Sequence, residues 1–190
     1  MSVPALAHCR DALSALTGAM EAAARALGER LAASMDAATV TTALLPLQVT
    51  DLTAQRCAHC RDALALLAGF ADPALVAPGC RLQARQLGAA AADFTTAATA
   101  LLSATGGDAN AARLEALAGR LTSLVTRLED LAGPCAEEPP GLRADLIARL
   151  APAYTMDSER AILARFLSGD PAPPAPAPPA ASDPAEDFFL

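Results

Sequence analysis

The chain has 190 residues and a net charge of −7, and 53% of its residues are hydrophobic but only 3% aromatic. An apolar excess made mostly of Ala and Leu argues against a β-sandwich or barrel and favours an all-α fold. All 14 basic residues are Arg, and an acidic chain without a basic cluster argues against nucleic acid and anionic membrane surfaces as partners.

The first helix is predicted from about Pro4 to Ser34, with Pro4 in its first turn. Apolar residues recur along it every seven positions, and a second set follows three residues after the first. The two sets are Leu6, Leu13, Met20, Leu27 and Cys9, Leu16, Ala23. This heptad seam predicts a helix that lies along a neighbouring helix at a shallow angle.

The second helix is predicted from Ala37 to Phe70, with Asp36 as its N-cap. Pro46 lies inside this stretch and is expected to kink the helix or to mark its true start. The residues expected on its inward face are Leu45, Val49, Leu52, His59, Ala63, Leu66 and Phe70. Asp72-Pro73 and Pro78-Gly79 are then expected to break the chain.

The third helix is predicted from Cys80 or Arg81 to Ser103, and Asp108 can cap a fourth helix that runs to about Leu131. Leucines spaced alternately by three and four residues mark the inner face of this fourth helix. They are Leu114, Leu117, Leu121, Leu124 and Leu128. The pattern predicts that this face packs into the core.

Gly106-Gly107 separates the third helix from the fourth, and Gly133-Pro134 closes the fourth. Two shorter helices are predicted near residues 141–150 and 157–167. Four long helices in succession predict an antiparallel four-helix bundle over residues 1–168, with the two short helices at its C-terminal end.

Residues 169–182 are rich in Pro and Ala, a composition typical of a disordered, flexible linker with polyproline character. Residues 183–190 differ, because two acidic side chains precede three large apolar ones. These five residues are Glu186, Asp187, Phe188, Phe189 and Leu190. The pattern predicts a short acidic and aromatic peptide that docks on a partner while the linker tethers it to the bundle.

The number of cysteines and the N-terminal sequence indicate the cellular compartment. Five Cys at irregular spacing do not predict a disulfide framework. Charge appears too early in the chain for the apolar core of a signal peptide, and no run reaches the roughly 18 apolar residues of a spanning helix. We therefore expect a soluble protein in a reducing bacterial cytoplasm.

Asp51 and Gln55 stand four residues apart on the second helix, about 40° apart around its axis. Both fall at the margin of the apolar stripe, so they can be exposed while the helix stays packed. A Gln amide can orient a water for attack on phosphorus while the carboxylate holds a partner's cation. The alternative is a solvated polar pair whose hydrogen bond contributes about 0.2–0.5 kcal/mol.

The segment from Gln48 to Arg56 resembles the active-site helix of the CheZ-type chemotaxis phosphatases. Their signature is Asp-x-x-x-Gln, often as Asp-Leu-Thr-Gly-Gln, and this chain has Asp51-Leu52-Thr53-Ala54-Gln55. The resemblance implies a helical bundle that hydrolyses the aspartyl phosphate of a CheY-like response regulator. A tethered acidic and hydrophobic peptide that grips the regulator also belongs to that family, and residues 183–190 have the same layout.

The resemblance implies a role for each residue of the pair. Gln55 would direct the attacking water, and Asp51 would pair with a lysine of the receiver. The Mg²⁺ would belong to the receiver, so the chain would need no cofactor of its own. CheZ proteins dimerise a helical hairpin into a four-helix bundle, whereas this chain carries four long helices by itself, so a monomer and a homodimer both stay open.

Arg56 and His59 are predicted to border the site, Arg56 as a phosphate-steering group or a surface ion-pair partner. Cys57-Ala58-His59-Cys60 also invites a zinc interpretation. A helix gives the wrong geometry for it and no fourth ligand is evident, so small buried cysteines in a tight bundle are favoured.

The segment Ala7–Leu13 recurs residue for residue 51 positions later as Ala58–Leu64. Two copies with unmatched flanks do not make a repeat architecture.

Two rival functions stay open. One is a non-catalytic helical adaptor or chaperone in flagellar or chemotaxis signalling that binds its partner through the C-terminal peptide. The other is a histidine-phosphotransfer bundle that would use His8 or His59, neither of which has a convincing neighbourhood for it. The chain has no Gly-rich phosphate loop and no Ser-His-Asp order, which argues against ATP-dependent and triad enzymes.

Overall fold

The structure is a computed structural model that describes residues 3–34, 37–70, 73–133 and 141–169. Every regular element within these ranges is helical, which confirms the predicted all-α fold. The α-helices are α1 Val3–Ser34, α2 Ala37–Ala68, α3 Val76–Ala104, α4 Ala109–Ala132, α5 Leu142–Leu150 and α6 Asp157–Ser168, with short 3₁₀ turns at Pro73–Leu75 and Ala151–Ala153. The N-cap assigned to Asp36, the linker beyond Gly169 and the docking peptide lie outside the described residues.

The four long helices close a bundle within one chain. Helix α1 packs against α2 and α4, and α3 packs against the same two helices from the other side. Because short connections join successive helices, neighbouring helices run antiparallel. Helices α5 and α6 add a shorter layer, in which α6 lies on α3.

The inner faces of α1 and α4 are those that the heptad and leucine spacing predict. All seven seam residues of α1 are buried, as are the five stripe leucines of α4. Asp108 caps α4 as predicted, since its carboxylate accepts the backbone N–H of Asn110 at 2.7 Å. Periodicity is decisive in these helices because large apolar residues alone fill their inner faces.

Helix α3 begins at Val76, earlier than predicted, so the expected chain break at Pro78-Gly79 is wrong. Proline is tolerated in the first turn because its missing N–H would have no helical partner there. Gly79 leaves room for the Leu67 side chain of α2, since an added Cβ would clash with Cδ2 of Leu67 and lie 2.7 Å from its Cδ1. By length and composition α3 could also cross a membrane, but here it packs against α2, α4 and α6.

The predicted inward face of α2 is wrong at its three leucines, whereas Ala63 is buried as predicted and Val49, His59 and Phe70 are half-buried. Leu45, Leu52 and Leu66 are 69%, 44% and 47% exposed. The buried side is lined instead by Ala43, Pro46, Thr50, Thr53, Ala54, Cys57, Cys60, Ala63, Leu64 and Leu67. Most of these side chains are small and allow the neighbouring helices to approach closely.

The buried threonines of α2 satisfy their own hydroxyls. Thr50 donates to the carbonyl of Pro46 at 3.0 Å, and Thr53 donates to the carbonyl of Val49 at 2.8 Å. These local bonds remove the cost of burying a hydroxyl group, so a polar residue can face the core. Pro46 lies within α2 and does not mark its start.

Candidate functional site

Helix α2 presents Asp51 and Gln55 together on its outer surface. Both side chains are exposed, and Nε2 of Gln55 donates to Oδ2 of Asp51 at 2.9 Å. The two residues are one turn apart on a helix whose opposite side is packed against α1 and α3. The pair is therefore held on a rigid element and its two side chains orient each other.

This hydrogen bond leaves groups that can act on another molecule. The Gln55 amide retains its second N–H and its carbonyl oxygen, and Asp51 retains Oδ1. No other side chain in the described part of the protein bonds to either residue. The arrangement can hold a water at Gln55 and a cation at Asp51, but it provides no nucleophile for a covalent intermediate.

Arg56 follows the pair along the chain but is engaged by other helices. Its Nη1 donates to Oδ2 of Asp93 on α3 at 3.3 Å, and its Nη2 donates to Oγ of Ser158 on α6 at 2.7 Å. The side chain is 12% exposed, and its Nε is buried without a partner. Arg56 thus joins α2 to α3 and α6, and its side chain forms a hydrogen bond with neither Asp51 nor Gln55.

His59 is held in a similar way by α6. Its Nδ1–H donates to both carboxylate oxygens of Glu159, at 2.8 and 3.0 Å. The Glu159 side chain is 1% exposed and also accepts the N–H of Met156 at 3.1 Å. Sequence reasoning missed Ser158 and Glu159, because nothing local signals a partner 100 residues away.

The cysteines near the pair are buried core residues. Burial raises the pKa of the Cys57 thiol to about 12 and that of Cys60 well above its ordinary value of 9.0. Protonated thiols are poor nucleophiles and poor metal ligands. Among the residues that the structure describes, no group of three or more His, Cys, Asp or Glu could hold a metal ion.

A cluster of exposed leucines adjoins Asp51. Leu44, Leu45 and Leu52 form it, and a shallow depression beside them is lined by Leu44, Leu47, Gln48, Asp51 and Leu52. We call Leu44, Leu45 and Leu52 the leucine patch. Sequence reasoning missed it, although adjacent leucines project about 100° apart on a helix, so Leu44 and Leu45 cannot both face the same core.

Comparison with known proteins does not assign this site. No family model, no curated protein and no solved structure matches the chain. The site is therefore characterised by the exposed pair, the leucine patch beside it and the two side chains that α6 holds.

Proposed function

We propose that the protein is a phosphatase for the aspartyl phosphate of a CheY-like receiver protein. The observation that carries the proposal is the hydrogen-bonded Asp51–Gln55 pair, exposed on a packed helix and joined by no other side chain of the described residues. The resemblance of residues 48–56 to the CheZ-type active-site helix supports the same chemistry.

In the proposed reaction the receiver brings the phosphoryl group, its Mg²⁺ and a lysine. Asp51 pairs with the lysine, and Gln55 orients a water in line with the phosphorus. The water oxygen attacks, the bond between phosphorus and the receiver's carboxylate oxygen breaks, and the receiver's aspartate leaves as a carboxylate. Both protons of the water stay with the released inorganic phosphate, which leaves as H2PO4−, so the step requires positioning more than a strong base.

The leucine patch favours a second candidate, a non-catalytic adaptor. An exposed apolar cluster is typical of a protein-binding surface and needs no reaction to explain it. An adaptor would bind the receiver without changing how fast its phosphate is lost.

The two functions are separated by the decay of a phosphorylated receiver in the presence of the full chain. We expect the wild-type chain to accelerate decay, Gln55→Ala to lose roughly 100-fold of that acceleration, and Asp51→Ala to lose less. Asp62→Ala, which removes an exposed carboxylate from the same helix about three turns beyond Asp51, is the matched control and should keep full activity. Unchanged decay with the wild-type chain would contradict the proposal, and full activity of Gln55→Ala would contradict the assigned site.

The role of residues 183–190 is tested separately. Deleting Phe188–Leu190 should weaken binding of the receiver while leaving slow catalysis at high receiver concentration. Unchanged affinity, measured by titration calorimetry, would contradict the proposed role of this segment in docking on the partner.

A further inference from the structure

Helix α6 binds one ring nitrogen of His59 and leaves the other open. Nδ1 donates to both carboxylate oxygens of Glu159, at 2.8 and 3.0 Å. Nε2 has no hydrogen-bond partner among the described residues, and it is open to solvent on a side chain that is 23% exposed. The structure therefore supplies a neighbourhood for His59 that its flanking sequence does not show.

The contact with Glu159 determines which nitrogen of the neutral imidazole can act as a nucleophile. An ionised carboxylate only accepts hydrogen bonds, so the ring proton lies on Nδ1 and the lone pair of Nε2 is free. Positive charge develops on the ring when Nε2 bonds to an electrophile, and the adjacent carboxylate stabilises that charge. Because the Glu159 side chain is only 1% exposed, solvent screens this attraction weakly. His59 thus has the features of an activated nucleophile.

Arg56 places positive charge beside His59, which indicates an anionic electrophile. The two side chains are neighbours, since their partners, Ser158 and Glu159, are consecutive residues of α6. Arg56 also pairs with Asp93 at 3.3 Å, but the Asp93 side chain is 61% exposed, so solvent weakens that pair. The guanidinium can therefore attract a phosphoryl group that approaches His59.

The Asp51–Gln55 pair lies close to this nitrogen along the same helix. Gln55 stands one helical turn before His59, which places the two residues about 6 Å apart along the axis of α2. A phosphoryl group that a receiver presents to Gln55 is thus within one turn of a second acceptor.

We propose that His59 accepts the phosphoryl group of an acyl phosphate on Nε2. The lone pair of Nε2 attacks phosphorus, the bond between phosphorus and the acyl oxygen breaks, and the donor leaves as a carboxylate. The proton on Nδ1 stays there, bonded to Glu159, so the step needs no additional base. A receiver's aspartyl phosphate is one such donor, and that choice of donor rests on the proposed function, whereas the acceptor does not.

His8 provides the matched control, because it occupies the same position in the identical segment Ala7–Leu13. Its Nε2 lies 3.1 Å from Nη1 of Arg127, and since a guanidinium only donates, the lone pair of that nitrogen is occupied. In the described part of the chain no carboxylate bonds to its other nitrogen. His8 is more exposed than His59, so accessibility alone would favour His8, whereas activation by Glu159 favours His59.

Labelling of the full chain with radiolabelled acetyl phosphate tests the proposal. A phosphohistidine survives alkali and is lost in acid, which distinguishes it from an acyl phosphate or a phosphoserine. Tandem mass spectrometry should place the phosphoryl group in the tryptic peptide 57–61 and not in peptide 1–10, which contains His8. His59→Asn should lose the label, because its amide can still donate to Glu159 but has no nucleophilic lone pair; His8→Asn should keep the label.

Glu159→Gln tests the positioning role of the carboxylate. The amide can donate to Nδ1 as well as accept from it, so it no longer fixes the ring proton, and it has no charge to stabilise the ring. The initial rate of labelling should fall on the order of 100-fold, in a chain whose fold is checked by far-ultraviolet circular dichroism. An unchanged rate would overturn the role of Glu159 in the reaction.

Three results would overturn His59 as the acceptor: a chain without label, a label in peptide 1–10, or equal labelling of His59→Asn. The first two are measured on the wild-type chain and do not depend on how a variant folds. With a phosphorylated receiver as donor, release of inorganic phosphate without any label on the chain would refute the acceptor and leave the phosphatase intact. Labelling of His59 by acetyl phosphate in a chain that does not accelerate receiver decay would refute the phosphatase alone.

Discussion

The same seven residues occur in two helices, Ala7–Leu13 in α1 and Ala58–Leu64 in α2, and much of their local structure is the same. Cys9 and Cys60 are both buried in the core. Each copy also carries an ion pair between neighbouring residues, 2.9 Å long between Arg10 and Asp11 and 2.8 Å long between Arg61 and Asp62. Identical sequence thus gives a helix with the same inner side in both places.

The two histidines differ. His8 is exposed, and its Nε2 lies 3.1 Å from Nη1 of Arg127 on α4. His59 is half-buried and bonds to the buried carboxylate of Glu159 on α6. The comparison shows that local sequence determines which side of the helix is buried, while partners distant in the chain determine the environment of the polar residues.

The largest expected loss of stability comes from truncating the buried leucine of either copy, and it should be equal in the two. Leu13→Ala and Leu64→Ala should each lower the free energy of unfolding by about 3 kcal/mol, because both side chains are buried and truncation leaves a cavity. Urea denaturation followed by circular dichroism measures this. A difference between the two variants of more than about 2 kcal/mol would show that the core around the copies is not equivalent.

Substitution of the histidines should affect the stability of the two copies differently. His59→Ala removes the partner of a buried carboxylate and should cost about 3 kcal/mol, whereas His8→Ala at an exposed position should change stability by less than about 0.5 kcal/mol. The same urea titration applies. If Glu159→Gln restores most of the stability lost in His59→Ala, the cost lies in the unpaired buried charge; equal losses in His8→Ala and His59→Ala would contradict the asymmetry.

Much of the fold follows from periodicity in the sequence, but the orientation of α2 does not. The seams of α1 and α4 consist of large apolar residues, so their spacing identifies the buried side. In α2 small residues such as Thr50, Ala54 and Cys57 face the core, while Leu45 and Leu52 point outward. Hydrophobicity fails there because close helix packing selects for size and because threonine hydroxyls bond to their own helix.

The sequence likewise predicts one part of the candidate site and not the other. The sequence alone predicts that Asp51 and Gln55 can be exposed and adjacent, because four residues are one helical turn. It does not predict that α6 holds Arg56 and His59, since those contacts depend on how a distant helix packs. The chemical role of the pair stays a prediction.

The cysteines of the two copies should contribute differently to the pH dependence of the free energy of unfolding. Burial raises the pKa of both Cys9 and Cys60 above 9.0, and that of Cys60 much further. Each thiol is protonated in the fold, so its stabilisation is complete below pH 9 and is lost as rising pH ionises the thiol of the unfolded chain. We expect Cys60→Ala to reduce the loss of stability between pH 9 and pH 11 (roughly the range above the ordinary thiol pKa) more than Cys9→Ala does. Urea titrations across that range measure it, and an equal reduction would contradict the prediction.

The smallest expected effect lies on the solvent-facing pairs. Asp11→Asn and Asp62→Asn change the net charge equally, and the two carboxylate side chains are 69% and 57% exposed. Exposed ion pairs contribute little, so each variant should lose less than about 0.5 kcal/mol, measured by urea denaturation at low and high salt. A loss above about 1 kcal/mol in Asp62→Asn alone would show that the two copies also differ in stability at the surface of α2. Equal, small losses would show that they differ only in the contact that α6 makes with His59.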